Sequence, residues 1–441
     1  MKAKKCLALI IALLATAMTA SAQKDGVYSF IGKKNRVNLN DSARLYKTLL
    51  ENTPIEPEFK YEPHFAVVGY GGRFFFSTGA RLRFTASYDL GNPVQNPQST
   101  GVSLLEDVWR GNRHLFQMSA GSSNLYFNII GFPHSDNQVG LFVRLDLDAE
   151  NNNSYRVKAG HIYMRYRNFL CGYTSSLYND RGADPFMITD DGICSSGAHS
   201  CVQINYQRAL SKHLTMGVGV ELPPADYTRY CADSLSLDKQ TKILQINQRV
   251  PDIPFYFQYS WNQDAHLRLS GVLRTINHYD WATDDNRYDF GWGAKLTGKC
   301  KMGPVTLYGM FQGGRAIANY MVGNDKDELD LVPYDDPGHA GRMRATYSIG
   351  GMFAAQYDIL PNLFVTGQFS GFRNYTDRYL SKSTTEFDEH TRRGMSLTAT
   401  AVWRISDLFS AAAEYVHVRR NFEGQPQVRN NRFYAMFMMT F

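Results

Sequence analysis

Asn430-Asn431-Arg432-Phe433-Tyr434-Ala435-Met436-Phe437-Met438-Met439-Thr440-Phe441 ends the chain, and counted back from Phe441 every second side chain is apolar: Met439, Phe437, Ala435 and Phe433. A period of two is that of a β-strand, whose successive residues point to opposite faces. Termini fray unless they are tied down, so a last strand this rich in large apolar residues needs a partner on each edge and an apolar medium outside. A closed barrel in a bilayer supplies both, because closure leaves no edge and lipid covers the outward side chains.

The same period recurs upstream. In 80–90 (ARLRFTASYDL), Leu82, Phe84, Ala86 and Tyr88 oppose Arg81, Arg83, Thr85, Ser87 and Asp89. In 138–149, Val139, Leu141, Val143, Leu145 and Leu147 oppose Gly140, Phe142, Arg144, Asp146 and Asp148. Further runs lie at 122–130, 154–166, 169–178, 200–209, 214–222, 253–261, 266–279, 288–298, 304–320, 343–358, 363–375, 393–405 and 408–421, sixteen strands with the last. The connections sort into two kinds. Those after even-numbered strands are mostly short (166–169, 210–213, 262–265, 360–362, 406–407), and those after odd-numbered strands include the long ones (91–121, 179–199, 223–252, 321–342, 376–392). Short turns on one side and long loops on the other mark outer-membrane barrels. The expected fold class is therefore all-β: a closed antiparallel transmembrane β-barrel of about sixteen strands over 65–441, with short periplasmic turns and long extracellular loops.

The amino-terminal end agrees. Lys2, Lys4 and Lys5 precede an apolar run from Leu7 to Met18, and Ala20-Ser21-Ala22 offers small residues for cleavage before Gln23, so residues 1–22 read as a secretory signal peptide. Residues 23–64 read as a periplasmic arm, in which Asp41-Ser42 can cap a short helix with Leu45, Leu49 and Leu50 on one side, ended by Pro54, Pro57 and Pro63; a poorly ordered arm is the alternative. Beyond Gln23 there is no run of about eighteen apolar residues, so no transmembrane helix is expected. The mean hydropathy of −0.35 fits a barrel, in which only alternate strand residues meet lipid, and the 27 Tyr and 27 Phe suit its aromatic girdles. The net charge of +6 drops to +3 once the three signal-peptide lysines leave, too little to argue for nucleic acid. Five cysteines follow the signal peptide (Cys171, Cys194, Cys201, Cys231, Cys300) without CxxC or metal-ligand spacing; a Cys194–Cys201 disulfide would suit an oxidising compartment. No cofactor and no metal are expected.

Taken together, the strand GRFFFSTGARLRFTASYDL, the hairpin VGLFVRLDLDAENNNSYRVKAGHIYMRYRNFLCGYTSSLYND and the terminal MFMMTF resemble those of sixteen-stranded trimeric porins, and their order is similar to the DcaP-like branch of Gram-negative bacteria, over most of Gly72 to Phe441. The long amino-terminal coiled coil of some relatives has no counterpart here. The resemblance implies an outer-membrane diffusion channel, a homotrimer in contact with lipid and lipopolysaccharide, and a carboxy-terminal signal (Phe441, Met439, Phe437) read by the barrel-assembly machinery. It also implies that a long loop after the fifth strand folds into the lumen. That loop is 179–198, long, turn-rich and acidic: it carries Asp180, Arg181, Asp184, Asp190 and Asp191, punctuated by Gly182 and Pro185. A surface loop meeting water or divalent ions is the alternative.

Alternation assigns Arg81, Arg83, Arg144, Arg156, Lys158, Arg268, Arg274, Lys295 and Arg404 to the lumen, against the fewer acids Asp89, Asp146, Asp148 and Glu221. Excess fixed positive charge in a narrow passage concentrates anions. The expected solutes are small anions, and the resemblance points the same way, to dicarboxylates; pairing of these bases with acids would leave the pore near neutral. Other readings are a solute-specific uptake channel, a barrel whose loops bind a partner, and an outer-membrane lipid hydrolase. For the last, His161 and His417 sit on strands but no GxSxG or HExxH spacing is present. In the acidic run 325–330, Leu329 stands where a calcium loop needs a ligand.

Overall fold

The computed structural model describes residues 65–69, 74–99, 102, 113–132, 137–151, 154–189, 200–222, 249–262, 264–280, 285–323, 330–333, 343–375, 391–422 and 427–440. The signal peptide and arm expected for 1–64, together with Asp190, Asp191, Cys194, Cys231 and Phe441, lie outside the described residues.

Its strands, in chain order, are β1 (Phe65–Gly69), β2 (Phe74–Gly91), β3 (Leu115–Ser119), β4 (Ser123–Gly131), β5 (Val139–Asn151), β6 (Ser154–Tyr166), β7 (Phe169–Ser175), β8 (Ser200–Ala209), β9 (Leu214–Leu222), β10 (Ile253–Asn262), β11 (Ala265–Asp280), β12 (Asp285–Met302), β13 (Val305–Arg315), β14 (Leu331–Pro333), β15 (Met343–Ala345), β16 (Tyr347–Leu360), β17 (Leu363–Asn374), β18 (Thr391–Arg404), β19 (Phe409–Phe422) and β20 (Val428–Thr440). The pair β14–β15 stands apart; the other eighteen segments form one sheet. Successive walls pair antiparallel, with β3 and β4 both on one edge of β2, and β20 returns to β2, with Arg81 opposite Thr440 and Gly91 opposite Asn430. The barrel is thereby closed.

Eighteen segments make sixteen walls because two walls are composite. Along one edge of β2, Thr85–Asp89 pair with β3 and Phe74–Arg81 with β4, so β3 and β4 are one strand broken at 120–122. Along the other edge β1 faces Phe74–Thr78, just beyond the end of β20. The break has a local cause: Ser122 has φ +59°, and the Gln98 side chain packs so close over Gly121 that a Cβ there would lie 2.2 Å from it. Gln98 then donates to Ser122 Oγ (2.7 Å) and accepts from the Ala149 amide on β5 (2.6 Å).

Chain direction collects the short connections at one end. Ser211 and Ser406 close two of them by accepting amide hydrogens two and three residues on, an economical use of hydroxyl turns. Outward residues in the middle of the long strands are mostly apolar, for example Phe84, Leu269, Leu296, Phe353, Phe369 and Phe437, all more than two-fifths exposed. Tyr166, Trp261, Tyr357 and Trp403 ring the short-turn end, and Tyr88, Tyr155, Tyr288 and Tyr347 the loop end, two girdles flanking an apolar belt. Inward residues mix polar side chains with apolar ones such as Phe372, Val416 and Met352, and many are buried because loops pack against them.

Several boundaries differ from the sequence reading, among them 169–178, whose strand ends at Ser175, and 343–358, which divides into β15 and β16. The first full strand starts at Phe74, six residues earlier than its alternation shows, since Phe74, Phe75 and Phe76 are apolar on both faces. The run 304–320 ends as a strand at Arg315 and turns at Ala316 (φ +56°) into a 3₁₀ turn at Ala318–Tyr320. The connection 91–121 contains β3.

Candidate functional site: loops held inside the barrel

The chain leaves β7 at Ser175 and turns inward. Asp180 caps the 3₁₀ turn Arg181–Ala183 by accepting from the Gly182 amide (3.1 Å). Its other oxygen lies 2.9 Å from His266 Nε2 on β11 and accepts from Thr297 Oγ1 on β12 (2.5 Å). Lys295 Nζ donates to Asn179 Oδ1 (3.4 Å) and sits 5.2 Å from the Tyr178 ring centre. Arg268 donates to the Leu177 carbonyl and stacks 3.7 Å over Tyr256. Burial alone would raise the Asp180 carboxyl; the His266 hydrogen bond, the Arg268 charge and Thr297 outweigh it and hold the group well below the usual carboxylate range.

Eight residues on, the same loop is held by other walls. Glu414 on β19 accepts from the Ile188 and Thr189 amides (2.6 and 2.9 Å) and from Thr400 on β18 (2.8 Å). Arg83 on β2 donates to the Ile188 carbonyl, and Met187 packs with Tyr308, Met310, Met352 and Ala354. In the closed order of walls β11 and β12 lie across from β2 and β19, so residues 176–189 bridge opposite sides of the barrel. Both ends of the bridge are hydrogen-bonded.

A second loop, after β13, meets the first. Tyr320 packs edge-on against Tyr178, ring centres 5.3 Å apart. Its hydroxyl lies 2.7 Å from Glu221 and 2.8 Å from Asp252. Arg274 Nε donates to Asp252 (2.7 Å), its Nη1 to Asp330 (2.7 Å) and to the Ala316 carbonyl, and Asp330 accepts from the Asn319 amide (3.2 Å). Burial raises the Asp252 carboxyl despite Arg274 beside it, and raises the Tyr320 phenol further with Glu221 and Asp252 adjacent. A third inward segment follows β2. Arg432 and Asp89, both fully buried, form a two-pronged pair at 2.6 Å across the closing seam, and Arg432 also donates to the carbonyls of Val94 (2.5 Å) and Asn96 (2.7 Å). Val94, Val102, Ile188 and Met321, from all three segments, pack with Phe372, Val416, Val418 and Tyr434 of the wall.

The bases read as lumenal from the sequence thus stand in three settings. Arg83, Arg268, Arg274 and Lys295 are buried beneath the loops. Arg144 pairs with Asp146 (2.9 Å), and Asp148 takes both Arg156 (3.4 Å) and Lys158 (3.2 Å). Arg81 faces Asn124, 3.1 Å away with the amide oxygen turned towards it. Gly160, the extra residue where the β5–β6 register shifts, leaves room for the Arg144–Asp146 pair, since a Cβ there would lie 2.2 Å from Asp146. Arg404 is exposed at the short-turn end, 5.5 Å from the Phe364 ring centre. Arg181 opens the 3₁₀ turn and Asp184 caps its end, both half-buried. Met439 and Phe437 lie on the outward face of β20, Phe437 stacked on Phe409 at 5.6 Å.

Several residues of the site were not singled out from the sequence: Tyr178, His266, Thr297, Tyr320, Glu414 and Arg432. Alternation marks His266, Thr297, Glu414 and Arg432 as inward, but nothing in the sequence shows which of them a loop will reach. Toward the short-turn end the inner face also carries Arg165, Lys299 (5.7 Å from the Tyr308 ring centre) and Lys301, the last paired with Asp358 at 3.1 Å. His161, a candidate for hydrolase chemistry, is buried with Nδ1 2.9 Å from Thr174, and His417 is on the outer face against Asn431. Cys171, Cys201 and Cys300 are free thiols, and Cys201 donates to Glu221.

No protein-family model and no curated protein matches the chain. Solved structures do. The outer membrane channel DcaP of Acinetobacter baumannii superposes with a TM-score of 0.69 at 16% identity, over 84% of this chain and 99% of that one. Salmonella typhi OmpF in complex with daunomycin gives 0.53 at 9% identity over 85% and 99%, and an anion-selective porin from Comamonas acidovorans 0.52 at 10% over 83% and 100%. The likeness is one of fold: the chain is a closed transmembrane barrel of the outer-membrane porin type and resembles DcaP among these.

Proposed function

We propose that this chain is a passive diffusion channel of the Gram-negative outer membrane, narrowed by inward loops and weakly selective for small anions, carboxylates among them. The observation that carries this reading is the polar inner wall spanned by residues 176–189, pinned at Asp180 on one side and by Glu414 on the other. In this reading Asp180, Arg181 and Asp184, with Asp190 and Asp191, belong to the constriction. A solute crosses down its gradient with no bond made or broken, so the chain acts as a channel and not as an enzyme. Export by the signal peptide, insertion by the assembly machinery through the terminal aromatic strand, and a homotrimeric state complete the proposal.

Anion preference rests on a different set of bases from the one the sequence suggested. Arg83, Arg268, Arg274 and Lys295 spend their donors on loops and acids, so they act mainly as anchors. Arg165, Lys299, Lys301 and Arg404 lie on the inner face near the short-turn end, with Asp358 paired to Lys301. Fixed charge of one sign between low-dielectric walls raises the local concentration of the opposite ion. Proteoliposomes loaded with buffer should admit succinate faster than a neutral sugar of similar size, and K299E/R404E should remove the difference; equal rates for both solutes in the parent would refute anion preference.

A second reading, solute-specific uptake, is favoured by the apolar packing of Val94, Val102, Ile188 and Met321 inside the barrel, which leaves a narrower passage than a polar wall alone. Flux that saturates at low solute concentration distinguishes it from unselective diffusion.

A further inference from the structure

Beneath the first inward loop, β17 and β18 carry a ladder of uncharged polar side chains. Thr366, Gln368 and Ser370 fall in the inward phase of β17, and register sets them opposite Thr400, Thr398 and Ser396 of β18. All six are no more than 2% exposed. The rungs extend for about 13 Å along the strand and end in apolar pairs, Phe364 with Val402 towards the short turns and Phe372 with Gly394 towards the loops. On β18 the hydroxyls are engaged: Thr400 donates to Glu414 (2.8 Å), and Ser396 and Thr398 lie 3.3 Å apart. On β17 they are not. The Thr366 and Ser370 hydroxyls and both ends of the Gln368 amide have no hydrogen-bond partner among the described residues.

Met187 covers these groups. It packs with Met352 and Ala354 on β16, and its sulfur lies 3.4 Å from Thr400 Oγ1 on β18. Ala354 stands opposite Gln368 and Thr400 opposite Thr366, so the Met187 side chain crosses β17 over both. A thioether is at most a weak acceptor, and a buried donor left without a partner carries its full desolvation cost. The cover and the ladder are chemically mismatched. Hydroxyls and a carboxamide both donate and accept, so their complement is a solute that does the same. An anion would meet the Glu414 carboxylate beside Thr400, and a cation would find its oxygens taken by Thr400 and the Ile188 and Thr189 amides. Tyr308, Met352 and Ala354 alongside offer apolar surface to C–H groups. Hydroxyls on the edges and C–H bonds on the faces describe an uncharged sugar.

We propose that Thr366, Gln368 and Ser370 form a binding site for a neutral sugar inside the barrel, reached when the Met187 side chain moves off β17. Methionine is unbranched and turns about three bonds, so it can uncover the ladder while Asp180 and Glu414 still hold the loop. The site is distinct from the basic zone near the short turns, and binding to it is read without passing a current, which keeps its failure separate from that of the channel reading.

The full chain, folded in a polyoxyethylene detergent whose head group carries no sugar, is titrated with sucrose, and binding is read by saturation-transfer NMR. The parent should show saturable transfer to sucrose protons. Gln368→Met, close in shape, should weaken binding, and T366V/Q368M/S370A should weaken it by about tenfold or more, as loss of three hydrogen-bonding side chains requires. Both variants delete unpaired buried atoms, so their urea unfolding midpoints should stay at or above the parent's, whereas a purely structural ladder would lower them. Met187→Ala should tighten binding severalfold, because the uncovered state no longer has to be populated at the expense of a packed one. Excess succinate should leave the sucrose signal unchanged. Parental affinity in the triple variant, no saturable transfer in the parent and in Met187→Ala, displacement of sucrose by succinate, or a lowered midpoint with affinity intact would each overturn the assignment.

Discussion

At the scale of single residues, Asp180 shows how a side chain can be placed by chemistry that spacing does not reveal. It is acidic and loop-borne, as the sequence indicates, yet its carboxylate is turned from water to His266, Thr297 and the Gly182 amide. Removing one partner of a buried charge network leaves the others uncompensated, at a cost of about 3–5 kcal/mol. Asp180→Asn should therefore release residues 176–189 from β11 and β12; the expected signs are higher single-channel conductance and new protease cleavage within the loop, and unchanged values of both would contradict the anchor role. The pH dependence has a definite sign. The folded-state pKa of Asp180 is depressed, so its contribution is complete above the unfolded value of about 3.9 and fades as pH falls through the folded value. Loop release in the parent should thus appear only in acid, below about pH 4, and Asp180→Asn should already be released at neutral pH.

At the scale of elements, the strands were largely legible because lipid on one face and loops or water on the other impose a clean period of two. The legibility failed where that contrast fails. Phe74-Phe75-Phe76 is apolar on both faces, so the start of β2 is hidden, and β3 is too short to show a period. The inward course of 179–198 was expected only through the family resemblance, and that of the segments after β2 and β13 was beyond reach for a different reason: Tyr320 reaching Glu221 and Arg432 reaching Val94 join residues 99 and 338 positions apart, and a single sequence carries no signal for such pairs. Two elements give tests. Gly172 on β7 has φ +142°, and a Cβ there would stand 2.3 Å from the Ile162 carbonyl on β6. Gly172→Ala should lower barrel stability by about 1–3 kcal/mol, read as an earlier urea unfolding midpoint. The β2–β20 seam holds the fully buried Asp89–Arg432 pair, and Arg432→Ala should cost about 3–5 kcal/mol on the same measurement, while Arg208→Ala, exposed, should move it little.

At the scale of the whole molecule, closure from β20 to β2, aromatic girdles at both ends and an inner wall bridged by loops describe a barrel whose interior is partly filled by its own chain. The basic lumen suggested by the sequence divides on that account into anchors under the loops, pairs near the loop end, and a basic zone near the short turns. Charge reversal should sort them: K299E/R404E should move ion selectivity toward cations with the loops intact, whereas K295E should disturb loop seating first and change conductance more than selectivity. The most direct measurement is the reversal potential of the purified, folded chain in a planar bilayer under a tenfold KCl gradient. Steady, modest conductance with an anion-selective potential is the expected result. A cation-selective potential would contradict the basic zone as the selective element, and no conductance from a folded barrel would contradict the channel itself.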